Sequence, residues 1–284
     1  MSKFLPYVEL GNPKASRAMV FVSGFPDNQL SAFKRVFPYF EKEFRIIAMC
    51  FPDFELSPGS DQTVENDWGY SFDEILRRMD ATIDKISRGK KVILVTHDWG
   101  AHLGYLYENR HPEKIEVIVA HDVAMLTRGR PSLPALLILV LYQWWFTTSF
   151  LVKNIFGKSA GDFVLSSYVL LTKLLPFIGP TRDKLRRPRE EITSHLCYPY
   201  AHFWLWGGIT MKTRYPKCPL LYMYGRNKNI MFHNASTLER IKSDKNASYR
   251  EFKGGHWFFD EEPEQVVEEI KKFLEKNADT LRKG

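Results

Sequence analysis

One segment, VILVTHDWGAHLGY at residues 92–105, constrains the fold of this chain more than any other. Its first four residues, Val92 to Val95, are all large and apolar, which is typical of a parallel strand buried on both faces. The run ends close to Asp98, after which a helix is predicted. Thr96 and Gly100, two positions before and after Asp98, are small enough for a sharp turn from strand to helix. We therefore predict an α/β fold in which Asp98 projects above the end of a buried strand.

The position of Asp98 also predicts a site for negative charge. Because a helix begins directly after it, the backbone N–H of Trp99 should point at an oxyanion that develops on or beside Asp98. An acidic residue can also end a strand of an α/β protein without any catalytic role. On this segment alone, a structural Asp98 is therefore the open alternative.

Strands and helices alternate along most of the chain. Apolar periodicity predicts strands at residues 18–22, 44–49, 92–95, 115–120, 220–224 and 249–252, and helices at residues 71–86, 101–109, 235–241 and 264–276. This alternation predicts a mostly parallel central sheet with helices on both faces. Between residues 126 and 215 the pattern becomes aromatic, apolar and helical. We therefore predict a core domain formed by residues 1–125 and 216–284, with an inserted helical lid at residues 126–215.

Composition narrows the class of partner and the compartment. The 284 residues carry a formal net charge of +7, but Lys and Arg are mixed with Asp and Glu along the predicted helices, so we expect no nucleic-acid partner. Three widely spaced cysteines, Cys50, Cys197 and Cys218, form no disulfide or metal-ligand pattern. The N-terminal segment lacks the apolar core of a signal peptide. We expect an intracellular, cytoplasmic protein, with a membrane-associated or organellar location as the alternative.

A histidine near the C-terminus could serve a nucleophilic Asp98. The carboxylate would form an ester with its substrate, and a base must then activate the water that cleaves this ester. His256 lies in Gly254-Gly255-His256-Trp257, between the last predicted strand and the last predicted helix. The glycines would allow the loop to reach over Asp98, and a loop histidine without a role is the alternative.

HDWG at residues 97–100 and GGHW at residues 254–257 together resemble the α/β-hydrolase superfamily. The aspartate in the first motif resembles the branch of epoxide hydrolases and haloalkane (fluoroacetate) dehalogenases. This resemblance implies an α/β-hydrolase fold with an inserted lid, Asp98 in place of the usual serine nucleophile, His256 as the base, and no metal or organic cofactor.

The resemblance also implies an oxyanion hole. In epoxide hydrolases an HGFP loop supplies one backbone N–H, and Ser23-Gly24-Phe25-Pro26 is similar to that loop, with Ser23 in place of the histidine. The implied donors are the N–H groups of Phe25 and Trp99. Because both donors are backbone groups, the serine should leave the hole in place. A core aromatic after a turn is the alternative reading of Phe25.

The acid that orients the histidine departs from the commonest pattern of the branch. In most relatives it lies shortly after the glycine that ends the strand following the lid, and here that place, after Gly225, is occupied by Lys228. Some dehalogenases of the branch carry the acid one strand after the nucleophile, where this chain has Asp122. Neighbouring parallel strands would bring Asp98 and Asp122 to the same edge of the sheet. We predict Asp122 as the acid, and a carboxylate that only ties loop backbone together is the alternative.

Lid tyrosines distinguish the two chemistries of the branch. Opening an epoxide needs a proton donor at its oxygen, which epoxide hydrolases supply from two lid tyrosines, whereas dehalogenases hold a halide with N–H or aromatic groups. The segment YQWWF resembles the first tyrosine segment and assigns Tyr142. The second tyrosine falls in CYPY at residues 197–200, where Tyr200 is preferred and Tyr198 is left open.

The lid also contains 22 consecutive residues, 131–152, without a charged side chain, preceded by Arg128 and Arg130 and followed by Lys153. This run is long enough to span a bilayer. A spanning helix would separate the two halves of the sheet, so we expect an apolar lid over a deep pocket. With its basic flanks, the lid could also contact a membrane surface or a protein partner.

We therefore predict a hydrolase that opens an epoxide, or less readily a carbon–halide bond, through an alkyl ester on Asp98. Its substrate should be a small apolar or lipid-like molecule. The alternative is a weakly active or inactive α/β-hydrolase-like subunit that serves in binding or assembly, at a membrane for example. Lys228, Ser23 and Thr96 are the departures that favour this alternative.

Overall fold

The computed structural model of the protein describes residues 3–56, 63–125, 133–175, 178–179 and 184–277. Seven strands form one sheet in the order β1-β3-β2-β4-β5-β6-β7. β1 pairs antiparallel with β3 at one edge, and the other neighbours pair in parallel. The strands are Tyr7–Gly11 (β1), Ala18–Val22 (β2), Arg45–Met49 (β3), Val92–His97 (β4), Ile115–His121 (β5), Leu220–Gly225 (β6) and Ala247–Phe252 (β7). The predicted mostly parallel sheet is confirmed, and β1 is an addition that its half-exposed residues did not predict.

Eight α-helices lie in the described part of the chain. They are Phe72–Ser87 (α1), Trp99–Arg110 (α2), Leu133–Phe156 (α3), Lys158–Leu174 (α4), Tyr198–Leu205 (α5), Ala235–Lys242 (α6), Phe258–Glu261 (α7) and Pro263–Lys276 (α8). The side chain of Ser71 caps α1 by accepting a hydrogen bond from the backbone N–H of Glu74, at 3.2 Å. The predicted helices are present, and α2 begins two residues earlier than predicted, directly after Asp98.

Apolar residues fill both faces of the sheet, as the pattern of buried strands predicts. Val20 and Leu94 pack into a cluster with α1 and α2, whereas Met19 and Ile93 pack into a second cluster with α8 on the opposite face. All four side chains are fully buried. Successive residues of a strand point to opposite faces, so a central strand covered on both sides must be apolar throughout.

Two glycines allow α2 to lie close against the sheet. A Cβ atom at Gly100 would be 2.2 Å from the carbonyl oxygen of Val22, and one at Gly104 would be 2.8 Å from the Cγ2 atom of Thr96. The approach brings the first turn of α2 next to the ends of β2 and β4. The predicted need for a small residue at position 100 therefore has a physical cause, which is contact with the backbone of β2.

The chain between β5 and β6 contains α3, α4 and α5, yet these two strands pair directly with each other. α3 and α4 form an antiparallel hairpin. Within it, the indole N–H of Trp145 donates to the carbonyl of Val164 and the hydroxyl of Ser149 donates to the carbonyl of Gly161, each at 2.9 Å. We call α3 and α4 the inserted hairpin. The predicted lid boundary at residue 126, residues 131–132 of the apolar run, Arg128 and Arg130 lie outside the described residues.

By length and composition α3 could cross a membrane, and a third of its most apolar stretch is buried in the structure. The direct pairing of β5 with β6 argues against a spanning role. A bilayer crossed by α3 would have to separate strands that share backbone hydrogen bonds.

The close approach at Gly100 generates the first testable prediction. Gly100→Ala should lower the free energy of unfolding by about 2–3 kcal/mol, because the added methyl group meets backbone that cannot rotate away. Gly89→Ala is the matched control, since Gly89 has a φ of +74° but an added Cβ atom there would meet nothing within 4 Å. It should cost about 1 kcal/mol through its left-handed backbone alone. Urea denaturation measures both changes, and equal losses would contradict the packing argument.

Candidate active site

Asp98 lies at the sharp turn between β4 and α2, with φ 55° and ψ −129°. Positive φ is rare for residues other than glycine, and such strain is characteristic of functional turns. The Oδ2 atom of Asp98 accepts a hydrogen bond from the backbone N–H of Phe25 at 2.7 Å, and the backbone N–H of Trp99 also donates to this carboxylate. A Cβ atom at Gly24 would lie 2.4 Å from both Asp98 Oδ2 and Trp99 N. Only glycine therefore lets the two donor loops close around the carboxylate.

The environment of Asp98 sets its charge. Burial raises the pKa of the Asp98 carboxyl above its ordinary value, and the facing His256 together with the two backbone N–H groups offsets part of that increase. Asp98 Oδ1 lies 3.7 Å from the Nε2 atom of His256. One oxygen of the carboxylate is thus held by a backbone donor, while the other faces the imidazole.

His256 lies in the loop between β7 and α7, as predicted, and its Nδ1 atom contacts the Oδ2 atom of Asp122. The side chain of Asp122 is fully buried at the end of β5. Burial opposes a positive charge on His256, but the carboxylates of Asp122 and Asp98 outweigh it and raise the pKa of the imidazole above its ordinary value. His256 and Asp122, which the sequence pairs as base and acid, are therefore in contact. Asp122 contacts Nδ1 of the imidazole, and Asp98 faces Nε2 on the other side of the ring.

Lys228, at the position where most relatives of the branch carry the acid, contacts the other carboxylate oxygen of Asp122. The side chains of both residues are completely buried. Burial favours the neutral form of Asp122, but Lys228 and then His256 stabilise the carboxylate and hold its pKa below the ordinary value. The lysine therefore does not displace Asp122 from its contact with His256. It supplies the cation that allows a carboxylate to stay charged without contact with water.

Close packing of two loops brings Lys228 to this place. A Cβ atom at Gly225 would lie 2.0 Å from the carbonyl oxygen of Gly255, so the chain after β6 runs against the loop that carries His256. The backbone N–H of Asn227 donates to the carbonyl of Gly254 at 3.0 Å. The same glycine loop therefore places His256 over the site and allows Lys228 to reach Asp122.

Two further histidines lie beneath the site and were not identified from the sequence. His97 and His121 are register partners on β4 and β5, each directly before an aspartate of the site. The Nε2 atom of His97 lies 3.1 Å from the carbonyl oxygen of His256, and the Nδ1 atom of His121 lies 3.0 Å from the carbonyl oxygen of Thr96. Burial lowers the pKa of His121 to about 4 and that of His97 well below its ordinary value. The repeated His-Asp pair at two neighbouring strand ends is the signal that could have identified them.

Asp27 was also missed, although it directly follows the Ser-Gly-Phe-Pro loop. Its carboxylate accepts hydrogen bonds from the indole N–H of Trp257 and the hydroxyl of Ser31, each at 2.7 Å. Burial raises the pKa of Asp27 to about 6. Because Trp257 follows His256, this contact joins the loop that carries Phe25 to the loop that carries the histidine.

A cavity of about 870 Å³ lies above Asp98 and His256. Tyr142 and Tyr200 line it, whereas Tyr198 does not and instead donates its hydroxyl to the carbonyl of Pro52 at 3.1 Å. The rings of Tyr142 and Tyr200 lie 6.2 Å apart. Burial, and next the charge of Asp98, raise the pKa of Tyr200, so its hydroxyl keeps its proton at neutral pH. Within the described residues, no group of three or more His, Cys, Asp or Glu side chains could hold a metal ion.

Together, the parallel sheet, the strained turn at Asp98 and the histidine loop define a protein of the α/β-hydrolase class. The profile of the alpha/beta hydrolase family matches residues 19–269, and the chain belongs to this family. Epoxide hydrolase 1 of Caenorhabditis elegans is 21% identical over 294 residues, which cover 96% of this chain and 68% of that protein.

Solved structures share the fold. An epoxide hydrolase from Bacillus megaterium in complex with an inhibitor superposes with a TM-score of 0.63 at 18% identity, over 95% of this chain and 96% of that one. A loop variant of a haloalkane dehalogenase from Bradyrhizobium elkanii superposes with a TM-score of 0.66 at 16% identity, over 98% and 95% of the two chains. The fold class and the resemblance to both kinds of enzyme are confirmed.

The charges around His256 generate the second prediction. Asp122→Asn should lower the pKa of His256, because it removes the carboxylate contact that favours the imidazolium. Lys228→Met should raise it, because the ammonium of Lys228 opposes a positive charge on His256. Lys253→Met, at an exposed position of the same loop, is the control and should leave the titration unchanged. NMR titration of histidine-labelled protein measures these shifts, and an unchanged or raised pKa of His256 in Asp122→Asn would contradict the assignment.

Proposed function

We propose that this protein hydrolyses epoxides through a covalent ester on Asp98. One observation carries the proposal. The two oxygens of the Asp98 carboxylate have different surroundings, since Oδ2 accepts the backbone N–H of Phe25 while Oδ1 faces the imidazole of His256. This is the asymmetry that a nucleophilic carboxylate needs, with one oxygen free to attack and one held where an oxyanion will form.

In the first step, Asp98 Oδ1 attacks an epoxide carbon, and the ring C–O bond breaks as the new C–O bond forms. The ring oxygen takes a proton from Tyr142 or Tyr200, which line the cavity above Asp98. Since burial raises the pKa of both phenols, each is a neutral hydroxyl that can donate a hydrogen bond and then a proton. The product of this step is a hydroxyalkyl ester on Asp98.

In the second step, the Nε2 atom of His256 removes a proton from water. The resulting hydroxide attacks the carbonyl carbon of the Asp98 ester. The negative charge moves to Oδ2, where the N–H groups of Phe25 and Trp99 stabilise it. Collapse of this intermediate breaks the ester C–O bond, and the diol oxygen takes the proton held by His256. Collapse leaves Asp98 as the carboxylic acid, and its proton returns to the tyrosinate formed in the first step, which restores both groups. The net reaction adds one water to the epoxide and needs no other reactant.

Asp122 and Lys228 act through His256 in this scheme. Asp122 holds the imidazole with Nε2 directed at Asp98 and stabilises the imidazolium that forms in the second step. Lys228 keeps Asp122 ionised and orients its carboxylate. Because the base must be neutral, the rate of ester hydrolysis should increase as pH rises through the pKa of His256, which lies above its ordinary value.

The tyrosine pair favours an epoxide over an alkyl halide as the substrate. Protonation of a ring oxygen uses two neutral hydroxyls, whereas a departing halide needs no proton. The contact of His256 with Asp122 supports a working enzyme over an inactive subunit, since the departure at Lys228 leaves the base and its acid together. The small apolar substrate expected from the sequence fits a cavity walled by Phe146, Leu165 and Phe232.

The third prediction tests the covalent step. His256→Gln should accumulate the ester, because alkylation needs no general base while hydrolysis does. After incubation with styrene oxide, the intact-protein mass should rise by the mass of one substrate molecule, and peptide mapping should place it on Asp98. Asp98→Ala with His256→Gln is the control and should gain no mass. A wild-type enzyme that turns over this epoxide while His256→Gln forms no adduct would exclude the mechanism.

The fourth prediction tests the tyrosines. Tyr142→Phe and Tyr200→Phe should each slow the alkylation step by about 10²-fold or more, because the ring oxygen loses a proton donor. Tyr198 lies on α5 with Tyr200, but its buried hydroxyl is outside the cavity. Tyr198→Phe should therefore leave the alkylation rate within about twofold of wild type. Rapid-quench measurement of the adduct in the His256→Gln background gives these rates. A larger effect at Tyr198 than at Tyr200 would reverse the assignment.

A further inference from the structure

The inserted hairpin is buried in its middle and exposes apolar side chains at both ends, with Ile155, Phe156 and Phe163 at one of them. Phe146, Thr147 and Phe150 of α3 are packed inside the protein. The N-terminal half of α3 forms the other exposed end, with Leu133, Leu136, Leu137, Leu141 and Trp144. α4 shows the reverse order, with Leu165 and Tyr168 buried and Leu170 and Leu174 exposed. Because the helices run antiparallel, the exposed halves belong to the same end of the hairpin.

The hydrogen bonds between the helices fix this arrangement. Trp145 is hydrogen-bonded to Val164, and Ser149, which comes later in α3, is hydrogen-bonded to Gly161, which comes earlier in α4. Earlier residues of α3 therefore lie beside later residues of α4. Continuing this register brings Leu137 and Leu141 alongside the last two turns of α4. The end of the hairpin that carries Leu137, Leu141, Leu170 and Leu174 is called here the apolar tip. The exposed fractions of Leu137, Leu170 and Leu174 are 61%, 60% and 70%.

The cavity extends to the last turn of α4, the turn that also carries Leu174 of the apolar tip. One face of α4 lines the cavity with Leu165, Tyr168, Val169, Thr172 and Lys173. These residues form one stripe of the helix along the cavity. The stripe runs from Leu165 to Lys173, a distance of about 12 Å along the helix axis. Leu170 and Leu174 lie on the same last turns. A substrate that reaches Asp98 along this stripe passes the exposed leucines first.

The positive charges near the apolar tip favour an anionic partner. The single acidic residue of α3 and α4 is Asp162, whose carboxylate accepts two hydrogen bonds from Ser194 at 2.7 Å. Lys173 and Lys184 line the cavity, and across the described ranges neither forms an ion pair. A second copy of the chain would place these lysines near their equivalents. An anionic lipid surface instead accepts the leucines into its apolar layer and pairs its head groups with the lysines.

We propose that the apolar tip docks onto an anionic lipid bilayer and that the cavity takes its substrate from that bilayer. The docking is peripheral, since the buried residues of both helices stay packed in the apolar core of the protein. The part of the inference that concerns substrate entry rests on the proposed epoxide hydrolysis, and the part that concerns docking does not. The substrate class that follows is an apolar epoxide that partitions into lipid.

Vesicle flotation of the full chain tests the docking. The wild type should float with phosphatidylcholine vesicles that contain phosphatidylserine, and Leu137→Gln/Leu141→Gln/Leu170→Gln should lower its partition coefficient by at least about tenfold. The matched control is Ile155→Gln/Phe156→Gln/Phe163→Gln at the opposite end of the hairpin, where the exposed fractions are 65%, 74% and 75%. It should change partitioning by less than about twofold. Because all six residues are exposed, each triple variant should keep the wild-type circular dichroism spectrum.

Two further arms separate lipid from other occupants. Lys173→Glu/Lys184→Glu should lower binding to anionic vesicles by at least about tenfold without changing the residual binding to pure phosphatidylcholine. Light scattering reports whether the tip joins two copies. A wild type that fails to float, a control triple variant that loses as much as the tip variant, or a dimer that the tip variant dissociates would each overturn the proposal.

Activity assays separate this proposal from the catalytic one. With styrene oxide in solution, the tip variant should match the wild type, whereas with a long-chain terminal epoxide dissolved in anionic vesicles its rate should fall about tenfold, following its loss of binding. If flotation depends on the tip but the wild type turns over neither epoxide, the docking proposal stands and the catalytic proposal is rejected. Equal rates of the two proteins on the vesicle-bound epoxide would reject substrate entry from the bilayer.

Discussion

The buried carboxylate of Asp122 is the constraint on which the site depends. A charge removed from water is costly unless it is paired, and Asp122 is contacted by both Lys228 and His256. These three residues come from the ends of β5, β6 and β7, so one cluster of charges joins three neighbouring strand ends. The orientation of His256 toward Asp98 follows from this pairing, because Nδ1 is engaged by Asp122 and Nε2 is left to face the Asp98 carboxylate.

Close backbone packing prepares the other half of the site. Gly24 and Gly100 each stand where a Cβ atom would collide with neighbouring groups, and their absence of a side chain lets β2, β4 and α2 converge. The strained φ of Asp98 is maintained by this packing. Burial then acts differently on each member of the site: it raises the pKa of Asp98, while compensating charges lower that of Asp122 and raise that of His256. A single apolar environment therefore holds three ionisable side chains whose pKa values are shifted in different directions.

Much of the fold and the principal site residues could be predicted from the chain alone because their signals are local. A buried strand must be apolar on both faces, and a helix that follows it directly needs small residues at the turn, so the segment around Asp98 specifies its own geometry. The order of strands and glycine-rich loops was enough to identify His256 and Asp122 as candidates. Lys228 shows the limit of prediction from sequence. It departs from the family pattern in sequence, yet in the structure it is the partner of Asp122.

The sequence by itself determined the alternation of strands and helices, the turn at Asp98 and the apolar character of α3, because each depends on residues close together in the chain. Only the tertiary structure decided how distant groups meet. It joined Lys228 to Asp122, brought Asp27 to Trp257, placed Tyr200 rather than Tyr198 in the cavity and left both ends of the inserted hairpin exposed. The physical reason is that burial and pairing of charges depend on contacts between separate elements, which no local pattern of residues encodes.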